Sequence, residues 1–353
     1  MIPAIFGISG QTLSDAERNL FRERAPFGFI LFRRNIDNPD QVKALTASLR
    51  ELTGRDDTPI LIDQEGGRVQ RLRPPHWVDL PHTRSLGDLY KQDPEAGLKA
   101  VKLQTQTIAG MIAELGFTTV CAPVLDVPVA GAHDVIGKRA FAEDVETVAQ
   151  LGAVMTQEFL NCGIMPILKH VPGHGRAIVD SHDVLPVVTE DKNVLEKTDF
   201  ATFASVAAKV GPEKLWAMTA HIVFTKLDKT PVSLSEDMIT YLRHHLGING
   251  FIIPDAIEME ALHGTCAERA VASLKAGCDV TMHCSGNFDD VKAIAEALPA
   301  MTDKAKERFA ATESARKQGA TKPVWRDTYK ELKSMISSDD AYVYTMHQAL
   351  SVA

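Results

Sequence analysis

The sequence contains no CxxC pair, no extended run of lysine and arginine, and no apolar stretch as long as the roughly 18–20 residues of a membrane-spanning helix. Each absence argues against a class of protein. The five cysteines, Cys121, Cys162, Cys266, Cys278 and Cys284, are odd in number and widely spaced. They suit free, mostly buried thiols in a reducing compartment rather than a disulfide framework or a zinc ribbon, and the expected location is the cytoplasm. A formal charge of −8, from 38 basic and 46 acidic residues, argues against a nucleic-acid or acidic-membrane partner. The opening MIPAIFGISGQ has no basic region before its short apolar run, so it reads as a first strand and not as a signal peptide. Internal repeats, low-complexity tracts and Gly/Ser linkers are also lacking, so 1–353 is expected to form a single domain.

What the chain does have is a series of short apolar runs, at 2–9, 27–33, 59–63, 119–126, 164–170, 215–221, 250–255 and 279–284. Near-continuous hydrophobicity over four to eight residues fits parallel strands buried on both faces. Between them lie segments with apolar residues at helical spacing, such as 39–54, 98–116 and 142–163. Pro39 starts the first, and Gly54, Gly116 and Gly163 close the three, as helix punctuation requires. Eight β–α units predict an α/β protein with a (β/α)8 TIM-type barrel. A doubly wound open sheet is the alternative, but GISGQT after the first strand is a poor match to G-x-G-x-x-G. From about 300 onward the chain reads as C-terminal helices packed on the barrel.

A barrel places its chemistry at the C-terminal ends of its strands, and here those ends are polar. The third run leads into DQEGGRVQRL with Asp63, Glu65, Arg68 and Arg71; the fourth ends at Asp126, the fifth at Lys169 and His170, the sixth at His221 and the seventh at Asp255. Asp126 also fits a turn or cap, Arg68 a solvated salt-bridge partner, and His170 and His221 satisfied core histidines. Asp63 and Asp255 end apolar strands and read as functional. The fifth run continues into KHVPGHGRAIVDSHD (169–183), with three histidines, a lysine and two aspartates in one aperiodic stretch. Asp180 and His182 are two apart, and in an extended segment such residues face the same side. A carboxylate there can hold one imidazole nitrogen and leave the other for proton transfer. His174 reads as structural, bonding its own loop. The competing reading is a metal-dependent hydrolase using His170, His174, His182 and His221, although the first strand ends GISG without a His-x-His. A phosphate site is weaker, because the seventh strand exits into acidic PDAIEMEAL.

DQEGGRVQRL, APVLDVP with IGKRAF, KHVPGHGRAIVDSH and FIIPDAIEMEAL occur in that order at barrel spacing. Together they resemble bacterial β-N-acetylglucosaminidases of glycoside hydrolase family 3, over roughly residues 1–290. The resemblance implies a retaining exo-glycosidase that releases terminal, non-reducing β-linked N-acetylglucosamine, with peptidoglycan-derived muropeptides as the natural substrates. It implies Asp255 as the nucleophile, His182 oriented by Asp180 as the acid/base, and Asp63, Arg71, Arg139, Lys169 and His170 as sugar contacts. No metal, cofactor, nucleic acid or membrane partner is expected. A catalytically silent sugar-binding relative is the third reading. Two features depart from the family pattern. Pro254 stands where relatives commonly have Ser or Thr, removing an N–H beside the reactive carboxylate. Glu258 and Glu260 add negative charge that would raise the pKa of Asp255 if either approached it.

Overall fold

A computed structural model describes residues 1–336. The eight apolar runs form the eight parallel strands of one sheet: β1 Ile2–Gly7, β2 Pro26–Leu31, β3 Ile60–Ile62, β4 Thr119–Val120, β5 Met165–Val171, β6 Trp216–Thr219, β7 Phe251–Pro254 and β8 Thr281–His283. Each strand pairs with its neighbours in sequence, and β8 returns to pair with β1, with Phe6 opposite His283. The remaining seam, between β7 and β8, is bridged by the Asp279 N–H donating to the Ile252 carbonyl at 2.8 Å and the Ile257 N–H to that of Met282 at 3.0 Å. Every residue of these strands is buried. This is the (β/α)8 barrel that the hydrophobic pattern requires, since strands covered on both faces have no polar side to alternate with.

The crossover helices stand where caps allow. α1 is Asp15–Arg24 and α2 is Pro39–Thr53; the Asn38 side chain accepts from the Gln41 N–H at 3.0 Å and Gly54 ends α2 at φ 63°. α3 is Pro94–Glu114 and α4 is Val145–Asn161. α3 begins four residues before the periodicity does, because Asp93 caps it and Pro94 occupies its first turn. α4 begins later than 142 because Asp144 is spent as its cap. α5 Ala201–Val210, α6 Glu236–His244, α7 Cys266–Lys275 and α8 Phe288–Ala297 complete the ring.

The lower mouth of the barrel is closed by aromatic rings. Phe27, Trp216 and Phe251 stand at the starts of β2, β6 and β7, and Phe309 of α9 (Asp303–Lys317) joins them. Ring centroids lie 4.6 Å apart for Trp216–Phe251, 5.1 Å for Phe27–Phe251 and 4.8 Å for Phe27–Phe309. The Trp216 Nε1–H donates to Thr312 Oγ1 of the same helix at 3.0 Å. α10 (Trp325–Met335) packs on the outer wall against α3, where Trp325 Nε1–H donates to Glu114. The rest of the C-terminal helical expectation, from 337 on, lies outside the described residues. Phe251 is fully buried in the aromatic plug, so Phe251→Ala is expected to cost about 3–5 kcal/mol. In denaturant unfolding the midpoint should fall with the slope unchanged; a loss under about 1 kcal/mol would mean the plug contributes little.

Candidate active site

The upper rim is floored by a network of buried charges. Asp63 follows β3, and the chain then folds into a small antiparallel ladder, Gln64–Gly66 against Val69–Gln70. Gln64 fixes its far side by accepting from the Arg71 and Leu72 N–H groups at 2.9 and 3.0 Å. Arg71 is thereby turned onto Asp63, with Nη2 at 3.0 Å from Oδ2. From β5, Lys169 Nζ reaches Asp63 Oδ1 at 3.1 Å and Glu65 Oε1 at 2.6 Å. Arg139, on a single 3-10 turn (Gly137–Arg139), makes a two-point bond to Glu65, each contact 2.9 Å. Burial alone would push both carboxyls up. Lys169 and Arg71 instead hold Asp63 well below the carboxylate range, and Arg139 with Lys169 brings Glu65 to about 2. In return, Asp63 and Glu65 raise Lys169 against its own burial, and Glu65 raises Arg139. All four groups are charged at neutral pH.

Removing one member leaves its partners buried and uncompensated. Glu65→Gln is expected to cost about 3–5 kcal/mol at neutral pH. The native pKa of Glu65 is depressed from 4.5 to about 2, so its ionic contribution is complete above pH 4.5 and disappears as pH falls through that window. The stability gap between wild type and Glu65→Gln should therefore close on acidification. A pH-independent gap would show that the carboxylate's charge is not what stabilises.

Asp126, which the sequence left between turn residue and function, is a fully buried organiser. Its Oδ2 lies 2.7 Å from His170 Nδ1, and its Oδ1 accepts from the His174 N–H at 2.7 Å. His170 is thus held by a carboxylate on one nitrogen, and its Nε2 lies 3.4 Å from Arg139. Asp63, Arg71, Arg139, Lys169 and His170 are brought together. Glu65 and Asp126 belong with them, although the sequence reading assigned neither to the site. Arg68 is elsewhere: it donates to the Asp134 carbonyl, tying down a neighbouring loop.

The loop after β5 is built by its glycines. Gly173 has φ 146° and packs on Asp199, and a Cβ on Gly175 would overlap the Val127 carbonyl. Arg176 anchors the loop root to Asp199 Oδ2 at 2.6 Å and to Thr198 Oγ1 at 3.1 Å. Its far end forms a two-residue parallel ladder, Val187–Val188 with Val223–Phe224. Asp180 and His182 do meet, but not through an extended segment. Residues 180–184 turn, with the Asp183 and Val184 N–H groups donating to the Asp180 carbonyl. Asp180 Oδ1 accepts from the His182 N–H at 2.9 Å and lies 2.7 Å from His182 Nδ1. The ring's other nitrogen has no partner among the described residues, and the side chain is 62% exposed. The hydrogen bond to Asp180 raises the His182 pKa, outweighing partial burial. His174 holds this turn by its side chain, with Nε2 at 3.1 Å from Ser181 Oγ, rather than by bonding the loop backbone.

Asp255 leaves β7 into the same space. Its N–H donates to the Thr219 carbonyl at 3.0 Å, and its Oδ1 accepts from the Ala256 N–H at 2.8 Å, so Pro254 costs the carboxylate none of these bonds. The Glu260 N–H donates to the His182 carbonyl at 3.2 Å, tying the loop to the segment that carries Asp255. The rise in the Asp255 pKa that an approach of Glu258 or Glu260 would bring does not occur. Burial raises it, but His170, His221, the Ala256 N–H and His182 together hold it below the ordinary value. Glu258 instead accepts from the Cys284 N–H at 2.8 Å, and Glu260 is exposed. Of the imidazoles in the metal reading, His170 and His221 are engaged through both ring nitrogens, His174 through Nε2 and His182 through Nδ1. His221 lies 2.6 Å from Ser233 Oγ through Nδ1 and 2.9 Å from the Ala256 carbonyl through Nε2. It is a satisfied core histidine.

Residues 8–313 match the Glycosyl hydrolase family 3 N terminal domain. The chain belongs to glycosyl hydrolase family 3. Among curated relatives, it is 35% identical to a beta-hexosaminidase of Bordetella avium over 289 residues, covering 80% of each chain. It is 36% identical over 290 residues to a beta-hexosaminidase of Chromobacterium violaceum, covering 80% of this chain and 78% of that one. Among solved structures, NagZ from Neisseria gonorrhoeae superimposes with a TM-score of 0.83 at 29% identity, over 95% of this chain and 98% of that one. The same protein has been solved in complex with N-trifluoroacetyl-D-glucosamine. The span matching family 3 contains every rim residue described above, and the chain is a glycoside hydrolase. Family 3 membership also confirms the resemblance that the four sequence motifs carry, and the barrel it implies.

Proposed function

We propose that this chain is a retaining exo-β-N-acetylglucosaminidase acting on muropeptide fragments in cell-wall recycling. The observation that carries the reading is the pairing of two oppositely tuned groups at one rim. Asp255 is held ionised, and His182, docked to the Asp255 segment through Glu260, is held toward the imidazolium by Asp180. A carboxylate available as nucleophile beside a proton donor is what double displacement needs. Asp255 attacks the anomeric carbon, and His182 gives its proton to the departing glycosidic oxygen. Water then attacks the glycosyl-enzyme while His182 takes a proton back. Asp63 would accept from sugar hydroxyls while Arg71, Lys169, Arg139 and His170 contact the sugar's hydroxyls and acetamido group, and these fixed donors suit a neutral sugar. The relatives named beta-hexosaminidase, and the neighbour with a bound N-acylated glucosamine, support the same substrate class.

A cytoplasmic location fits five free cysteines, four of them buried. Among the described residues no helix is long and apolar enough to cross a membrane. The test is hydrolysis of a β-linked N-acetylglucosaminide followed by proton NMR at early times. β-N-acetylglucosamine should form first and mutarotate later, and α product appearing first would overturn the retaining mechanism. Purified anhydro-muropeptides should lose their N-acetylglucosamine, and failure on these with activity on the simple glycoside would sink the recycling assignment alone.

A further inference from the structure

Beyond the Asp255 segment, three side chains of metal-binding type converge from three separate elements. His283 ends β8, Cys266 is the first residue of α7, and Asp290 lies in the first turn of α8. One ligand atom from each lies within 4.8 Å of the other two. His283 is fully buried, with Nε2 at 3.7 Å from Asp290 Oδ2 and 3.3 Å from Ser285 Oγ, while its Nδ1 has no hydrogen-bond partner among the described residues. Nε2 is the nitrogen that faces Asp290, and its one hydrogen bond among the described residues, to the Ser285 hydroxyl, is long, so it is available to a ligand. A cavity of about 660 Å³, lined by Cys266, Asp290, Ser285 and Glu258 among others, opens beside the cluster. A hydrated ion has an entry path there. The glycosidase chemistry proposed above uses none of these three ligands.

We propose that Cys266, His283 and Asp290 form a three-ligand site for a zinc-type divalent cation, with a fourth position open to water from the cavity. Sulfur, imidazole and carboxylate are the donors that borderline-soft ions select, and they disfavour magnesium and calcium. Bonds of about 2.0–2.3 Å in a tetrahedral array hold ligand atoms roughly 3.5 Å apart. The 3.7 Å between His283 and Asp290 already matches this, and a Cys266 ligand atom lies within 4.8 Å of both. As the sulfur–metal bond forms, the thiol proton passes to solvent, and thiolate and carboxylate together balance the ion's two positive charges. Arg269 and the two helix N-termini oppose a cation here, so the site is built for moderate affinity.

Cobalt(II) titration of the chelator-treated full chain tests this, because a cobalt–thiolate bond gives a near-ultraviolet charge-transfer band and a tetrahedral site gives intense visible bands. The other four cysteines are buried, so the band reports Cys266. One equivalent of cobalt should produce both signals, and zinc should displace it. Cys266→Ser, folded by circular dichroism and unchanged in metal-free turnover, should abolish the charge-transfer band. Asp290→Asn should weaken binding about tenfold or more. His182→Ala should leave the titration unchanged, which separates this site from metal capture at the proposed catalytic histidine. Absence of the band, its survival in Cys266→Ser, or its loss in His182→Ala would overturn the proposal.

Discussion

Asp255→Ala is expected to reduce turnover of a β-N-acetylglucosaminide by about 10⁴–10⁶-fold, the scale seen when a catalytic nucleophile or a member of its activating set is removed. The fold should be untouched. The carboxylate's hydrogen bond is to the adjacent Ala256 N–H, while burial raises its pKa and so works against the charged form. The surrounding histidines nevertheless hold its pKa below the ordinary value, so the ionised carboxylate contributes a little stability at neutral pH, and Asp255→Asn should unfold at the same denaturant concentration as wild type or a slightly lower one. The truncated site also leaves room for a small external nucleophile. Azide attacking the same face of the sugar should restore part of the rate and give the α-glycosyl azide, the mirror of the first half-reaction. Undiminished hydrolysis by Asp255→Ala would sink the assignment, and rescue giving only the β-azide would move the nucleophile elsewhere.

The barrel was legible because its signal is local. Each of the eight strands is buried on both faces, so an apolar run is its whole signature, and helix ends such as Asn38 with Pro39 and Gly54 are set by their own residues. The polar strand ends were equally legible as a rim. What was not legible were interactions that exist only once the barrel closes. Glu65 meets Arg139 across 74 residues, and Asp126 meets His170 and His174 across 44 and 48. Nothing at Asp126 itself separates a turn cap from a buried organiser. Its partners are on the next strand and in the loop that follows it.

The Asp180–His182 pair shows a subtler limit. Spacing of two residues suggested the pairing, but the pleat of a strand is not what delivers it. A turn closed by the Asp180 carbonyl lets the same carboxylate take the backbone N–H and the ring nitrogen of His182 together. Similarly, Glu258 lies close to Asp255 in sequence, yet the Cys284 N–H draws its carboxylate away toward β8. Sequence proximity fixed neither the direction of a side chain nor the sign of a pKa shift. The histidines around Asp255 decide that sign, and they arrive from β5, β6 and the loop after β5.

His182→Ala should lower kcat/KM by about 10²–10⁴-fold on substrates with a poor leaving group, and by much less on an activated aryl glycoside whose oxygen departs without a proton. That split separates a proton donor from a residue that merely shapes the loop, which would affect both substrates alike. Asp180→Asn then isolates the tuning. The Asp180 hydrogen bond raises His182 above its ordinary 6.5, so the imidazolium, the form that donates, persists to higher pH. The alkaline limb of kcat/KM should therefore lie above 6.5 in wild type and move toward lower pH in Asp180→Asn. The acid limb, set by Asp255 below the ordinary 3.8, should stay in place. His182 is largely exposed, so solvent screens the pair and the displacement should be modest. An alkaline limb that Asp180→Asn does not move would assign it to another group and leave Asp180 a purely structural part in the turn.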